Sequence, residues 1–203
     1  MNKKDLFLKY KKILNIFLFI HNIFTIKGKR RGLFIKGLGN CIAKKNKIIN
    51  IGKNNILVIG EMTTLDGLDV YINGNNNIIK IGDRCLLKGC KIWIEDDNNT
   101  LEINNHTYVY NDTELAVIEG TAIVIGEDCL IAPEVRIRTG DSHTIFEISK
   151  NERINKSEKV TIGSHVWIGN RAVVLKGSNI EEHSVVGSSA LVTKKLLVKR
   201  MLF

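Results

Sequence analysis

Proline, paired cysteines and long apolar runs are scarce in this sequence. Its 203 residues contain one proline, 17 glycines, 6% aromatic residues and four scattered cysteines without a CxxC pair. This composition excludes a collagen-like or proline-rich design, and it argues against a zinc finger or a disulfide scaffold. One globular domain in a reducing compartment fits best.

Acidic residues are almost absent from the amino-terminal quarter. Residues 1–47 hold 13 lysines and arginines against the single acid Asp5, a net charge of +12, whereas residues 48–203 hold 17 basic and 20 acidic residues, a net charge of −3. The overall charge of +9 therefore comes from the amino-terminal segment, and the rest of the chain is not basic. We expect no nucleic-acid partner. An anionic partner would meet the amino-terminal segment.

An amphipathic helix is predicted within that segment. Apolar residues spaced three or four positions apart would form one side of this helix: Leu6, Tyr10, Ile13, Phe17, Ile20 and Phe24. Its most apolar stretch, 13–26, is short and contains Asn15, His21 and Asn22, and no small-x-small site follows it, so neither a transmembrane helix nor a signal peptide is expected. Two compatible interpretations remain: the helix caps the following domain, or residues 1–31 lie on an anionic membrane surface.

A repeat of constant period follows. Segments 52–59, 74–81, 96–103 and 118–125 each end on an isoleucine, and these isoleucines are 22 residues apart. The Asn, Asp and Gly residues before each run favour turns, and the run itself reads as a short strand. A constant period of this size predicts stacked coils.

Downstream the period shortens to six. Large aliphatic residues recur at Ile162, Ile168, Val174, Ile180, Val186 and Val192, and the residues four places later are mostly small. This pattern predicts a triangular solenoid in which three hexads form one 18-residue coil. Cys85 and Cys129 fall at small-residue places, so we expect them to be packing residues.

The segment IGSHVWIGNRAVVLKGSNIEEHSVVGSSALVTK (162–194) resembles the hexapeptide-repeat acyltransferases. The resemblance is clearest over 125–195, and it implies an all-β fold, a left-handed parallel β-helix with one long active-site loop. We expect residues 1–47 to form the helical segment and first capping turns, and residues 48–203 to form the β-helix.

The repeat is interrupted once. Ile125 and Ile162 are 37 residues apart, and one 18-residue coil accounts for all but 19 of them. We therefore predict a loop over about 141–159, a candidate functional element. His143, six residues after Ile137, takes the place of the next apolar anchor, whereas His106, His165 and His183 occupy outward places.

The resemblance extends to catalytic residues. In the polysaccharide O-acetyltransferases of this superfamily, a stretch similar to Arg138-Thr-Gly-Asp-Ser-His143 carries the catalytic histidine. Trp167 resembles the tryptophan beside the acyl donor or acceptor, with an anchor between subunits as the alternative. Asp141 either orients the imidazole or caps the turn, and a loop-capping hydrogen bond is the alternative for His143.

Transfer of an acetyl group to a sugar hydroxyl needs a base, because a neutral alcohol is a weak nucleophile, and histidine suits this role. No nucleophile elbow or metal-ligand spacing is present, so we expect direct transfer from acetyl-CoA without a metal. The resemblance implies a homotrimer with CoA in a groove between subunits. The residues expected to line that groove are Gly169, Ala172, Gly187, Ser188, Thr193, Lys194 and Lys195.

The sequence therefore predicts an acetyl-CoA-dependent O-acetyltransferase acting on a surface carbohydrate such as capsule, lipooligosaccharide or a sialic-acid glycan. We expect it in the cytoplasm, peripherally at the inner face of the inner membrane. N-acetylation of an amino-sugar nucleotide or an antibiotic on the same scaffold is the alternative. A non-catalytic solenoid is disfavoured, because Thr107 and Thr113 are isolated and form no threonine ladder.

Overall fold

The structure is a computed structural model that describes residues 3–193, with the side chains of residues 8–193. Lys194 and Lys195, which were predicted to line the cofactor groove, lie outside the described residues. The described chain consists of one helix followed by short strands.

Helix α1 spans Lys3–Thr25. The strands before the long loop are β1 (Leu33–Lys36), β2 (Ile42–Lys44), β3 (Lys47–Asn50), β4 (Asn55–Ile59), β5 (Thr64–Asp66), β6 (Asp69–Asn73), β7 (Ile78–Ile81), β8 (Leu86–Lys88), β9 (Lys91–Glu95), β10 (Thr100–Ile103), β11 (Tyr108–Val109), β12 (Glu114–Val117), β13 (Ala122–Ile125), β14 (Leu130–Ile131) and β15 (Arg136–Arg138). The strands within and after the loop are β16 (Phe146–Glu147), β17 (Glu152–Arg153), β18 (Val160–Ile162), β19 (Trp167–Ile168), β20 (Val173–Val174), β21 (Asn179–Ile180), β22 (Val185–Val186) and β23 (Leu191–Val192).

Seven coils stack into a three-sided prism. Face 1 has the strand order β1-β4-β7-β10-β13-β18-β21, face 2 has β2-β5-β8-β11-β14-β19-β22, and face 3 has β3-β6-β9-β12-β15-β20-β23. All pairings within the three faces are parallel, and only β16 and β17 pair antiparallel. Each coil therefore contributes one strand to every face.

The strand register reproduces both periods in the sequence. Ile59, Ile81, Ile103 and Ile125 are successive partners on face 1, as the 22-residue repeat predicts. Ile162 pairs with Ile180, 18 residues later, in the shorter coils. The predicted parallel β-helix is confirmed.

Alternate strand residues point into the prism and form one continuous aliphatic core. The buried columns contain almost only isoleucine, leucine and valine, which fill a narrow interior without polar atoms. Cys85 and Cys129 are both 2% exposed within this core, so their predicted packing role is confirmed.

Each corner of the prism contains at least one residue in the left-handed backbone region. At the corner between faces 3 and 1, successive coils have Asn54, Asn76, Asn98 and Gly120 in this region, with φ between 56° and 66°. Asparagine and glycine tolerate this conformation better than other residues do, which explains the Asn- and Gly-rich segments of the repeat.

Buried asparagines connect the coils inside the same corner. The Oδ1 atoms of Asn55, Asn77 and Asn99 each accept from a backbone N–H in the next coil, at 2.7, 2.8 and 3.1 Å. Asn99 Nδ2 also donates to the carbonyl oxygens of Glu95 and Asp96 at 2.7 and 3.0 Å. This ladder satisfies backbone groups that the corner removes from the sheets.

The β-helix begins at Leu33, within the segment 1–47 that was assigned to the helix and capping turns. The first coil lacks the isoleucine that marks the others, because Gly37 stands in register with Ile59. A Cβ atom at Gly37 would lie 1.9 Å from the Ile59 carbonyl oxygen, so the close approach of the two coils requires glycine there.

We expect Asn99→Ala to lower the free energy of unfolding by about 2 to 4 kcal/mol, because it leaves buried backbone groups without partners. Chemical denaturation at fixed protein concentration measures the change. Asn73→Ala is the matched control, since Asn73 is exposed at the end of β6, and it should alter stability by less than about 0.5 kcal/mol. Equal losses in the two variants would contradict the role of the ladder.

Candidate active site

The long loop leaves the prism where the sequence places the break in the repeat. It runs from the end of β15 on face 3 to the start of β18 on face 1, and it contains the β16–β17 hairpin. His143 lies near its start with an exposed side chain. The hairpin region also exposes Ile145, Phe146 and Ile148, which are 52%, 57% and 96% accessible in the single chain.

Asn155 fixes the turn that carries His143. Its side chain is 8% exposed, and its Nδ2 donates to the His143 carbonyl oxygen at 2.6 Å and to Asp141 Oδ2 at 3.0 Å. Its Oδ1 accepts from the Ile145 backbone N–H at 2.7 Å. One buried amide therefore binds the backbone at His143 and Ile145 and the side chain of Asp141.

Lys176, from the sixth coil, attaches the same turn to the prism. Its ammonium group donates to Asp141 Oδ2 and, at 3.1 Å, to the Asn155 carbonyl oxygen. The Lys176 hydrogen bond, together with that from Asn155, lowers the pKa of Asp141 below its ordinary value. Asp141 is thus a carboxylate held by two partners.

The orienting role predicted for Asp141 stays a prediction. Its carboxylate bonds to Lys176 and Asn155, and among residues 8–193 no side chain or backbone group forms a hydrogen bond with the His143 ring. In the single chain these two contacts connect Asp141 to the loop and to the prism.

A second ion pair closes the returning half of the loop. Arg153 donates to Glu119 Oε1 at 2.7 Å, and the Ser157 backbone N–H donates to Glu119 Oε2 at 3.2 Å. The Arg153 hydrogen bond lowers the pKa of Glu119. Glu119 lies in the turn between β12 and β13, so this contact joins the loop to the adjacent coils.

A groove of about 270 Å³ on face 3 opens beside the His143 turn. Trp93 forms one wall, stacked on Tyr71 with 4.4 Å between ring centroids, and Ser142 stands next to the histidine. Glu114 and Arg138 form an ion pair with 2.5 Å between carboxylate and guanidinium. The complete lining is Trp93, Glu95, Glu114, Ala116, Ile118, Arg138, Gly140 and Ser142. It combines an aromatic platform with charged hydrogen-bonding groups.

The residues predicted to lie beside the acyl donor lie elsewhere on the prism. Trp167 is 45% exposed on β19 of face 2, and Gly187 and Ser188 are exposed at the corner between faces 2 and 3. Gly169 lies at the same corner one coil earlier, where its N–H donates to the Val186 carbonyl oxygen at 2.8 Å. Thr193, just after β23, is exposed at the corner between faces 3 and 1.

Ala172 requires a correction. It was predicted to line the cofactor groove, but its side chain is fully buried in the aliphatic core. The methyl group faces the interior because Ala172 occupies the small-residue place of the hexad, where the corner leaves little room. Its contribution is therefore packing.

The chemistry available in the described residues is limited. All four cysteines are buried and unpaired by disulfides, and burial raises the pKa of the Cys90 thiol to about 12 and that of Cys41 to about 11. These thiols are poor nucleophiles near neutral pH. Residues 8–193 contain no group of three or more His, Cys, Asp or Glu side chains that could hold a metal ion.

Comparison with known proteins identifies the family. The crystal structure of the polysialic acid O-acetyltransferase OatWY matches 85% of this chain and 80% of its own, with a TM-score of 0.79 and 30% sequence identity. This chain belongs to the hexapeptide-repeat acyltransferase family. The crystal structure of NeuO, a polySia-specific acetyltransferase, matches 85% of the chain with a TM-score of 0.76 and 28% identity.

Sequence relatives agree with this membership over shorter segments. Residues 159–194 match the family profile of the bacterial transferase hexapeptide, six repeats. The chain is 42% identical over 64 residues to a polysialic acid O-acetyltransferase of Neisseria meningitidis, which covers 32% of this chain and 30% of that protein. It is 33% identical over 87 residues to the galactoside O-acetyltransferase of Escherichia coli K12, covering 43% of this chain and 42% of that protein. The chain thus spans less than half the length of these curated relatives.

Sequence reasoning missed three residues of the candidate site. Asn155 and Lys176 act through contacts across 14 and 35 residues, which no local pattern signals. Trp93 could have been found from the repeat, because it lies 22 residues after Tyr71. The two aromatic residues occupy the same outward strand position in successive coils.

Substituting Asn155 tests whether it positions the His143 turn. Asn155→Ala should accelerate hydrogen exchange at the Ile145 amide and across 141–158 by about tenfold or more, because the turn loses three hydrogen bonds. Lys156→Ala, at the adjacent exposed residue, is the control and should leave the exchange unchanged. Unchanged exchange in Asn155→Ala would show that other contacts hold the turn.

Proposed function

We propose that this protein transfers an acetyl group from acetyl-CoA to a hydroxyl group of a carbohydrate, with a sialic-acid glycan as the leading acceptor. The observation that carries the proposal is that His143 is exposed on a tethered turn, next to Ser142, which lines a groove with an aromatic wall. The polysialic acid and galactoside O-acetyltransferases among its relatives support the same chemistry.

His143 is the proposed general base. The attacking hydroxyl must lose a proton as its oxygen bonds to the thioester carbonyl carbon, and an imidazole accepts that proton. The four cysteines are buried, so a covalent acyl-cysteine has no accessible nucleophile. The acetyl group therefore passes directly to the acceptor through a tetrahedral intermediate whose oxyanion a backbone N–H stabilises. Its collapse breaks the C–S bond, and CoA leaves as a thiol after taking the proton from the imidazolium.

Acetyl-CoA supplies the acetyl group as an activated thioester, and the exposed glycine corner fits its pantetheine arm. A Cβ atom at Gly187 would meet no atom within 4 Å, so the surface there is open to a thin, flexible chain. Ser188 adjoins it with an exposed hydroxyl, and Trp167 offers an exposed ring on the neighbouring face. These residues would bind and orient the donor.

The two halves of this site belong to different subunits of a homotrimer. The loop with His143 leaves the corner between faces 3 and 1, whereas Trp167 lies on face 2, the side of the prism opposite that corner. One chain therefore presents the base and the donor surface in different directions. The exposed apolar residues of the hairpin supply a surface for contact with a second subunit.

The groove on face 3 is the proposed acceptor subsite. A pyranose ring presents C–H groups that pack on an aromatic face such as Trp93, and its hydroxyls suit the charged groups of Glu95, Glu114 and Arg138. Because Ser142 lines the groove, an acceptor bound there would lie near the turn that carries His143.

Replacing His143 tests the general base. His143→Ala should lower kcat for acetyl transfer at least about a hundredfold, since general-base catalysis contributes on that order. His106→Asn, at another exposed histidine, is the control and should retain activity. Thiol release with a panel of sialylated and galactosyl acceptors measures the rate, and alkaline lability of the product separates O-acetyl from N-acetyl groups. Full activity in His143→Ala would contradict the mechanism.

Replacing Trp93 tests the acceptor subsite. Trp93→Ala should raise KM for the carbohydrate roughly threefold to tenfold and leave KM for acetyl-CoA unchanged, because only the aromatic platform is lost. Trp93→Phe should restore most of the affinity. An equal increase in KM for the carbohydrate and KM for acetyl-CoA, or no increase in either KM, would show that the acceptor does not bind in the groove on face 3.

A further inference from the structure

Helix α1 packs on the prism through Ile23 and through two polar side chains. Asn22 is fully buried, and its Nδ2 donates to the carbonyl oxygens of Leu38 and Cys41 at 2.7 and 2.8 Å. Its Oδ1 accepts from the Ala43 N–H at 3.0 Å, and Thr25 Oγ1 donates to the Ala43 carbonyl oxygen at 3.1 Å. The helix therefore caps β2, the edge strand of face 2, as one of the two sequence-based interpretations predicted.

The apolar side of the same helix points away from the protein. Six large side chains at helical spacing, each at least 50% exposed, form what we call the outer face: Tyr10, Ile13, Ile16, Phe17, Ile20 and Phe24. At 100° per residue they lie on the side of the helix away from Asn22. An amphipathic helix of a globular domain normally buries its apolar stripe against the core, and this helix does the reverse.

Such a continuous apolar face indicates a binding partner. The charge around it indicates which kind. Lys9 and Lys12 are exposed on the helix, and Lys27 and Lys29 are exposed just beyond its end. The sequence contains no acidic residue from Leu6 to Gly60, and the next one, Glu61, pairs with Lys11 on the packed side at 3.3 Å.

A second copy of the chain is a poor occupant, because packing two such faces together would bring lysines of like charge into one apolar interface. An anionic bilayer surface suits both properties. Apolar side chains enter the boundary between headgroups and acyl chains, while lysines extend to the lipid phosphates. Within residues 3–193 no helix is long and apolar enough to cross a membrane.

We propose that the outer face of α1 binds in the plane of an anionic membrane surface and attaches the protein there peripherally. The helix lies at the first coil, whereas the loop that carries His143 leaves the prism after the fifth coil. Binding at that end keeps the proposed active site clear of the lipid, facing acceptors near the membrane.

Vesicle sedimentation of the full chain tests this inference independently of enzyme activity. The protein should bind vesicles of phosphatidylcholine with phosphatidylglycerol and bind phosphatidylcholine alone at least about tenfold more weakly. The triple variant Phe17→Ser, Ile20→Ser, Phe24→Ser should bind on the order of a hundredfold more weakly, because its apolar burial is lost. These side chains are exposed, so circular dichroism should remain unchanged.

Charge variants separate the outer face from the general basicity of the chain. Lys9→Gln with Lys12→Gln should weaken binding roughly fivefold per lysine. Lys80→Gln with Lys88→Gln removes the same charge from exposed sites on later coils and should have little effect. Equal binding to both vesicle types, or equal loss in the two double variants, would overturn the proposal. So would a smaller assembly of the serine variant in light scattering, which would assign the face to a second copy.

Discussion

Register between neighbouring coils is the constraint on which this structure depends. Each strand of the three faces pairs with the equivalent strand one coil before or after it, so a shift of one residue would turn an entire column of aliphatic side chains outward. Buried asparagines reinforce the register at the corner between faces 3 and 1, where Asn55, Asn77 and Asn99 each bind the backbone of the next coil. The positions of successive coils along the prism axis are therefore fixed, and with them the point at which the loop leaves the prism.

The fixed register explains why the loop with His143 is inserted at a corner of the prism. An insertion inside a strand would interrupt the pairing of its face, whereas an insertion at a corner leaves the pairing of β13 with β18 intact across 37 residues. The inserted loop is then fixed to the frame by Asn155, Lys176 and the Arg153–Glu119 pair. A histidine on this loop takes its position from the coils, although it belongs to none of them.

Much of this was predictable, because the repeat itself specifies the structure. The 22- and 18-residue periods, the buried cysteines and the segment of the loop follow from residue spacing. The handedness came from the family resemblance. The first coil was missed since Gly37 replaces its marker isoleucine, and Ala172 was misplaced since a small residue at a corner suits packing and ligand binding equally.

The contacts of Asn155 depend on partners that are distant in the sequence. The outward orientation of α1 depends on which side of the helix contacts the prism. Residue spacing along the chain specifies neither. Hydrophobic periodicity alone favours burial of the apolar stripe, but the hydrogen bonds of Asn22 with the edge strand reverse that orientation. Polar residues within an apolar helix therefore decided its orientation.

The proposed completion of one acyl-transfer site by two chains is tested most directly by the structure of the assembled protein with bound CoA. We expect CoA between two subunits, with its thiol end near His143 of one chain and its pantetheine arm along Gly187 and Trp167 of the other. A CoA molecule held by a single chain, or bound away from His143, would contradict it.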